Sequence, residues 1–135
     1  MRNPKETLED LDRLIEELRE RPENSTLLVE GRKDRAALWL LGIEGEIMTI
    51  QNGKRIFQVA EGLAEEGKEA IILTDWDRKG GQFCRLLKNA LRANGVIYDD
   101  TKRAKLVRLS KKDIKDVESL PAFMSHLVSE AQKIR

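Results

Sequence analysis

The chain has 135 residues, 40% hydrophobic and 36% charged, with 25 basic and 24 acidic side chains for a net charge of +1. That length suits one domain with a real core, and the near-even charge balance excludes a nucleic-acid footprint spread over the whole surface, so any such footprint is local. The single cysteine, Cys84, excludes an internal disulfide, no apolar run approaches the roughly 20 residues of a membrane helix, and the first residues lack the apolar core of a signal peptide; no membrane partner and a cytoplasmic location are expected.

Residues 4–21 read as an amphipathic helix. Asn3 can cap it, Pro4 suits its first position, and Leu8, Leu11, Leu14, Ile15 and Leu18 make one apolar stripe before Pro22. Residues 1–23 thus form an N-terminal helical segment ahead of a domain over 24–135. Its expected role is packing on the domain; a dimer contact is the alternative. Thr26–Glu30 is too short for a helix and reads as a strand buried on both faces. A helix follows over 32–41, with Ala36, Ala37, Leu40 and Leu41 inward and Gly42 at its end. Ile47–Ile50 is a second strand, Asn52-Gly53 a turn, and 54–66 a helix stopped by Gly67. Glu69–Thr74 is the third strand and 80–94 the next helix, carrying Phe83, Leu86, Leu87, Ala90 and Leu91. Val96–Tyr98 is a candidate fourth strand. Thr101–Leu109 reads as a helix, with a strand over 105–109 as the alternative, and Pro121 opens a last helix to 133. This alternation predicts an α/β, Rossmann-like fold. It has about four mainly parallel strands flanked by helices, an extra N-terminal helix and a C-terminal helical extension.

Three acids follow the two most apolar runs. Glu30-Gly31 ends the first, and Asp75-Trp76-Asp77 follows Ile71-Ile72-Leu73-Thr74. If both runs are parallel strands, these carboxylates emerge at the edge where open α/β sheets bind ligands. In extended backbone, residues i and i+2 point to one side, so Asp75 and Asp77 can share a hard cation such as Mg2+. Glu30 can add a ligand or handle a proton. Crowding of like charge raises the proton affinity of one of the three. Gly31 permits a tight turn. Gly80 and Gly81 leave bare amides at a helix start, which favours phosphate, and Arg32, Lys33, Arg78 and Lys79 flank the acids. Alone, a D-x-D after a strand is more often solvated or capping; the second acid-glycine shifts the balance toward metal.

Leu28-Val29-Glu30-Gly31-Arg32-Lys33-Asp34 and Thr74-Asp75-Trp76-Asp77-Arg78-Lys79-Gly80 resemble the two signatures of the Toprim family, the module of topoisomerases, bacterial-type primases and small ribosomal-RNA maturation nucleases. The resemblance spans about residues 25–98. It implies Mg2+, with Mn2+ as a substitute, at the edge of a Rossmann-like sheet. Glu30 would be the general acid/base, and Asp75 and Asp77, with Glu30, the metal residues. Gly53, followed by Lys54, falls where relatives often carry a glycine near the site, so both join the phosphate-contact candidates. A topoisomerase needs a nucleophilic tyrosine on another domain, whereas Tyr98 is the one tyrosine here. One cysteine and one histidine cannot build a primase's zinc module. What remains is similar to a stand-alone Toprim protein of the prokaryotic nuclease kind, acting on RNA or DNA, with a homodimer or larger processing complex as possible assemblies.

Other residues carry weaker signals. Lys102, Arg103, Lys105, Arg108, Lys111 and Lys112 offer either a phosphate-binding face or a solvated surface. Asp113, Asp116 and Glu118 read as capping or surface groups before an outer acid of the site. Asp34 falls at a position frequent in the first of the two signatures, and it equally suits a helix first turn, where it favours the dipole. Trp76 and Trp39 read as packing, and His126 and Cys84 as structural. Two rivals to a nuclease are a module that grips phosphate without cleavage and an acid-cluster phosphatase or phospho-acceptor switch. The last fits poorly, because Asp77 is followed by Arg78-Lys79 and the first strand ends in a single glutamate.

Overall fold

A central parallel strand must be shielded on both faces, and all five residues of β1 (Ser25–Val29) are buried. The computed structural model describes residues 3–50 and 55–133. Within them the elements run α1 (Pro4–Arg19), β1, α2 (Arg32–Leu40), β2 (Ile47–Thr49), α3 (Ile56–Glu66), β3 (Glu69–Ile72), α4 (Arg78–Ala93), β4 (Tyr98–Asp99), α5 (Thr101–Ser110) and α6 (Leu120–Gln132). The strands form one parallel sheet in the order β2-β1-β3-β4. Leu27 pairs with Ile47 on one side and Ile71 on the other, which sets the register of three strands. The fold is α/β and Rossmann-like, with an N-terminal helix, as the apolar runs predict.

Alternation along β1 divides the core. Leu27 and Val29 pack with side chains of α1, α2, α5 and α6, and Leu28 packs with those of α3 and α4. Helix α1 starts as its capping residues require: Asn3 Oδ1 accepts the Glu6 amide at 2.9 Å and Pro4 occupies the first turn. Its Leu11, Leu14, Ile15 and Leu18 are buried in the same cluster as β1, each worth about 1.5–3 kcal/mol relative to exposure. Helix α3 ends on Gly67 at φ 66°, a left-handed conformation that costs glycine little.

Several boundaries differ from expectation. Strand β3 ends at Ile72 and its last bond to β1 is from the Leu73 amide to Leu28 O at 2.9 Å; beyond it the Thr74 and Asp75 carbonyls bond Arg103 and the Trp76 amide bonds the Lys115 carbonyl. The fourth strand is Tyr98–Asp99, and residues 101–110 form a helix rather than a strand. Helix α4 starts at Arg78, two residues early, because Asp77 caps it. The inward face of α2 is Asp34, Ala37 and Leu38, whereas Ala36 and Leu40 face solvent, Leu40 at 79% exposure. Buried hydrogen bonds to Asp34 hold the helix in that rotation. Trp39 is exposed rather than packed in the core, with the Arg35 guanidinium 5.1 Å from its ring centre. The Asn52-Gly53 turn and Lys54 lie outside the described residues.

Candidate acidic site at the sheet switch point

Helix α2 leaves β1 on one face of the sheet and α3 enters β3 on the other. The chain therefore changes direction between β1 and β3, and the crevice at their carboxyl ends is where such sheets bind ligands. Glu30 follows β1 directly, and Asp75 and Asp77 lie in the turn after β3. The Asp75 backbone amide donates to Glu30 Oε2 at 2.8 Å. Asp75 Oδ1 accepts the Val117 amide at 3.2 Å, and Asp77 Oδ1 accepts the Gly80 amide at 2.6 Å. Each of the three carboxylates is thus oriented through one oxygen by a backbone N–H. Among the described residues, the second oxygen of each accepts no hydrogen bond.

The acids disturb one another. Burial raises the Glu30 carboxyl above its ordinary range; the Asp75 amide opposes this, the charges of Asp77 and Asp34 reinforce it, and Lys79 opposes it. Asp75 is pushed up to about 7, first by burial and then by the charges of Asp34 and Glu30; the Val117 amide opposes the shift and Asp116 adds to it. Asp34 is raised as well, mainly by burial, against two amide hydrogen bonds and with the charges of Asp116 and Glu118. Asp75 and Asp77 do not present their anchored oxygens to one partner: the first bonds the segment before α6, the second bonds the start of α4.

The expectation of bare amides at Gly80 and Gly81 is corrected. The Gly80 amide donates to Asp77 Oδ1 and the Gly81 amide to the Asp77 carbonyl at 3.0 Å. Gly80 is required for another reason: a Cβ there would lie 1.9 Å from the Asp75 carbonyl oxygen. Its own carbonyl accepts the buried Thr74 hydroxyl at 3.0 Å, so α4 docks tightly on the acidic turn. Gly31 is extended, at φ −140°, so no left-handed turn is needed; it caps α2 and donates to Asp34 Oδ2 at 3.0 Å. Arg32 and Lys33 begin α2, Arg78 and Lys79 begin α4, and all four are exposed. Of these, Lys79 acts electrostatically on Glu30. Gly53 and Lys54 lie outside the described residues.

Three parts of the surroundings escape a reading of the motifs. Asp34 is buried and ties two distant segments, accepting the Gly31 and Glu118 amides, each at 3.0 Å. Its spacing before Ala37 and Leu38 was the available signal. Arg103 donates through Nε to the Thr74 carbonyl at 2.9 Å and through Nη2 to the Asp75 carbonyl at 2.7 Å. The segment 114–118 straps the turn: Trp76 donates its amide to Lys115 O at 2.8 Å and its indole Nε1 to Ile114 O at 2.9 Å. Trp76 is accordingly a packing residue. Of the acids on this strap, Asp116 acts on Asp34 and Asp75. The basic window does not form one free face: Lys102 pairs with Asp99 at 2.7 Å, Lys105 lies 3.8 Å from Glu17, and Arg103 turns to the acidic turn. Cys84 is buried and His126 exposed.

Among the described residues, no group of three or more His, Cys, Asp or Glu side chains is arranged to hold a metal ion. The chemistry of the donors, though not a closed arrangement of them, suits a hard cation. The donors are all oxygen, each carboxylate keeps an unbonded oxygen, and the accumulated negative charge is what a divalent ion would relieve.

Fold and site together define a doubly wound α/β protein with a cluster of acids at its switch point. No protein-family model matches the chain. The chain belongs to the UPF0292 family. It is 39% identical over 123 residues to a UPF0292 protein of Methanosarcina barkeri, an alignment that covers 89% of this chain and 84% of that one. A UPF0292 protein of Thermococcus sibiricus is 38% identical over 117 residues, with 85% and 88% covered, and one of Methanocaldococcus jannaschii is 31% identical over 121 residues, with 89% and 94% covered. A solved structure from Aquifex aeolicus superposes with a TM-score of 0.69 at 28% identity, covering 81% of this chain and 96% of that one.

Proposed function

We propose that this chain is a Toprim-like, Mg2+-dependent phosphoryl-transfer protein that acts on RNA or DNA, most simply a nuclease working in the cytoplasm. The observation that carries the reading is the Glu30–Asp75 hydrogen bond. It joins the two acid motifs across neighbouring strand ends and leaves an oxygen of each acid unbonded. Asp75 and Asp77, with Glu30 as a further ligand or proton carrier, would hold the ion; Mn2+ can replace Mg2+. The ion would supply charge stabilisation at a phosphoryl oxygen. Glu30, with its raised proton affinity, suits transfer of a proton to or from the attacking or leaving oxygen. Arg32, Lys33, Arg78 and Lys79 border the crevice and would draw phosphates toward it.

Incubation with structured RNA, single-stranded RNA and DNA, in Mg2+, Mn2+ or EDTA, tests the reading. Metal-dependent cleavage of one of them is expected. Absence of cleavage on all three in both metals overturns it.

A second reading, a nucleic-acid or phosphate-binding module in a processing complex, is favoured by Asp75. A carboxyl titrating at about 7 is partly protonated near neutrality and can donate a hydrogen bond to a phosphate oxygen without any ion. Binding in EDTA with no cleavage in either metal supports it.

A further inference from the structure

The strongest unassigned feature is the underside of the acidic turn. The Leu73 amide still bonds Leu28 O at 2.9 Å, and beyond it the chain leaves the sheet, so the Thr74 and Asp75 carbonyls have no ladder partners. The fork of Arg103, reaching in from α5, replaces them: Nε takes Thr74 O at 2.9 Å and Nη2 takes Asp75 O at 2.7 Å. Two donors of one rigid fork fix the two successive peptides that flank Asp75, 74–75 and 75–76, which a single ammonium cannot do. On the other side, the Val117 amide orients the Asp75 carboxylate, and Trp76 anchors the strap that carries Val117. Among the described residues Arg103 makes no ion pair with an acid; its hydrogen bonds are spent on this turn.

We propose that Arg103 is a positioning residue for the acidic site, holding the two peptides on either side of Asp75 so that Asp75 presents its unbonded oxygen beside Glu30. This rests on the metal reading above for its consequence, and on geometry alone for the brace. Residues that orient ligands from behind commonly change metal affinity about 10–100-fold when altered. Helix α5 is then part of the site, and the basic residue that resembled a phosphate contact acts instead through the backbone of a carboxylate ligand.

The test uses R103K, which keeps the charge but not the fork, and R103M as a second variant. Amide hydrogen exchange in EDTA reads the brace, because the Asp75 and Trp76 amides are hydrogen-bonded in this turn. Mn2+ titration reads the consequence. Faster exchange confined to residues 74–77 and 114–118, with an Mn2+ dissociation constant raised about tenfold or more in R103K, is expected. Unchanged exchange in both variants overturns the brace. Local loosening with wild-type Mn2+ affinity overturns the positioning role and leaves a purely structural one. A wild type that binds no Mn2+ overturns the metal reading and the positioning role with it, while the exchange result still decides the brace. If R103M unfolds, R103K alone decides these outcomes.

Discussion

Glu30 Oε2 accepts the backbone amide of Asp75 at 2.8 Å, across 45 residues of sequence. This bond ties the end of β1 to the turn after β3. It makes the two motifs one object, and it places a carboxylate whose proton is held tightly beside one pushed up to about 7. Pairs of acids with raised proton affinity in a crevice are what phosphoryl chemistry and cation binding both use.

Glu30→Gln keeps an oxygen able to accept the Asp75 amide, so the fold is retained. Loss of the proton carrier should lower cleavage by about 10²–10⁴-fold. The check is a cleavage assay beside a thermal melt in EDTA; undiminished cleavage by a folded variant refutes the proton-handling role.

Stability without metal should fall as pH rises. The carboxyls of Asp75, Glu30 and Asp34 all have folded-state pKa values above the unfolded ones. The folded protein therefore holds their protons more tightly. That contribution is complete below the ordinary carboxylate range and is lost as pH climbs, through about 7 for Asp75. Glu30 and Asp75 are partly open to solvent, so screening reduces the effect to about 1 kcal/mol, a shift of a few °C. Melts in EDTA at pH 5.5 and pH 8 measure it, and added Mg2+ should raise the melting temperature more at pH 8. Equal melting temperatures at both pH values contradict the expectation.

Asp75→Asn removes one charge from the cluster and keeps an oxygen for the Val117 amide. In EDTA at pH 8 this variant should melt above the wild type, and Mg2+ should no longer stabilise it. A variant that melts lower, or that responds to Mg2+ as the wild type does, argues against Asp75 as both the repelled group and the ligand.

Gly80 and Gly81 sit side by side in α4, and their alanine variants should move in opposite directions. At Gly81 a methyl meets nothing within 4 Å, so helix propensity stabilises by about 0.5–1 kcal/mol. At Gly80 the methyl strikes the Asp75 carbonyl at 1.9 Å, so α4 or the turn must move, at about 2–3 kcal/mol. Denaturant melts of both decide; an innocuous G80A contradicts the close docking.

Trp76→Phe preserves much of the packing and deletes the donor to Ile114 O. A loss of about 1–2 kcal/mol is expected, with faster amide exchange at 114–118. An exchange pattern identical to wild type shows that the strap is held without the indole.

The positions of Glu30, Asp75 and Asp77 were legible in the chain alone, because a short continuous apolar run is a local signal and the residue after it must lie at the sheet's edge. The parallel α/β sheet followed from the same alternation of periods. The phase of α2 did not: Leu40 is apolar yet exposed, and Asp34 is acidic yet buried, because tertiary hydrogen bonds outweighed a weak stripe. The supports of the site were invisible for a related reason. Arg103, Val117 and Glu118 reach Asp75 and Asp34 from 28, 42 and 84 residues away. They act mostly through backbone amides and carbonyls, which every residue carries and no motif encodes. Sequence alone placed Glu30, Asp75 and Asp77 just past the ends of two neighbouring strands. Only the packing of α5 and the strap against the turn decided how they are held, because those contacts exist only once the chain has closed on itself.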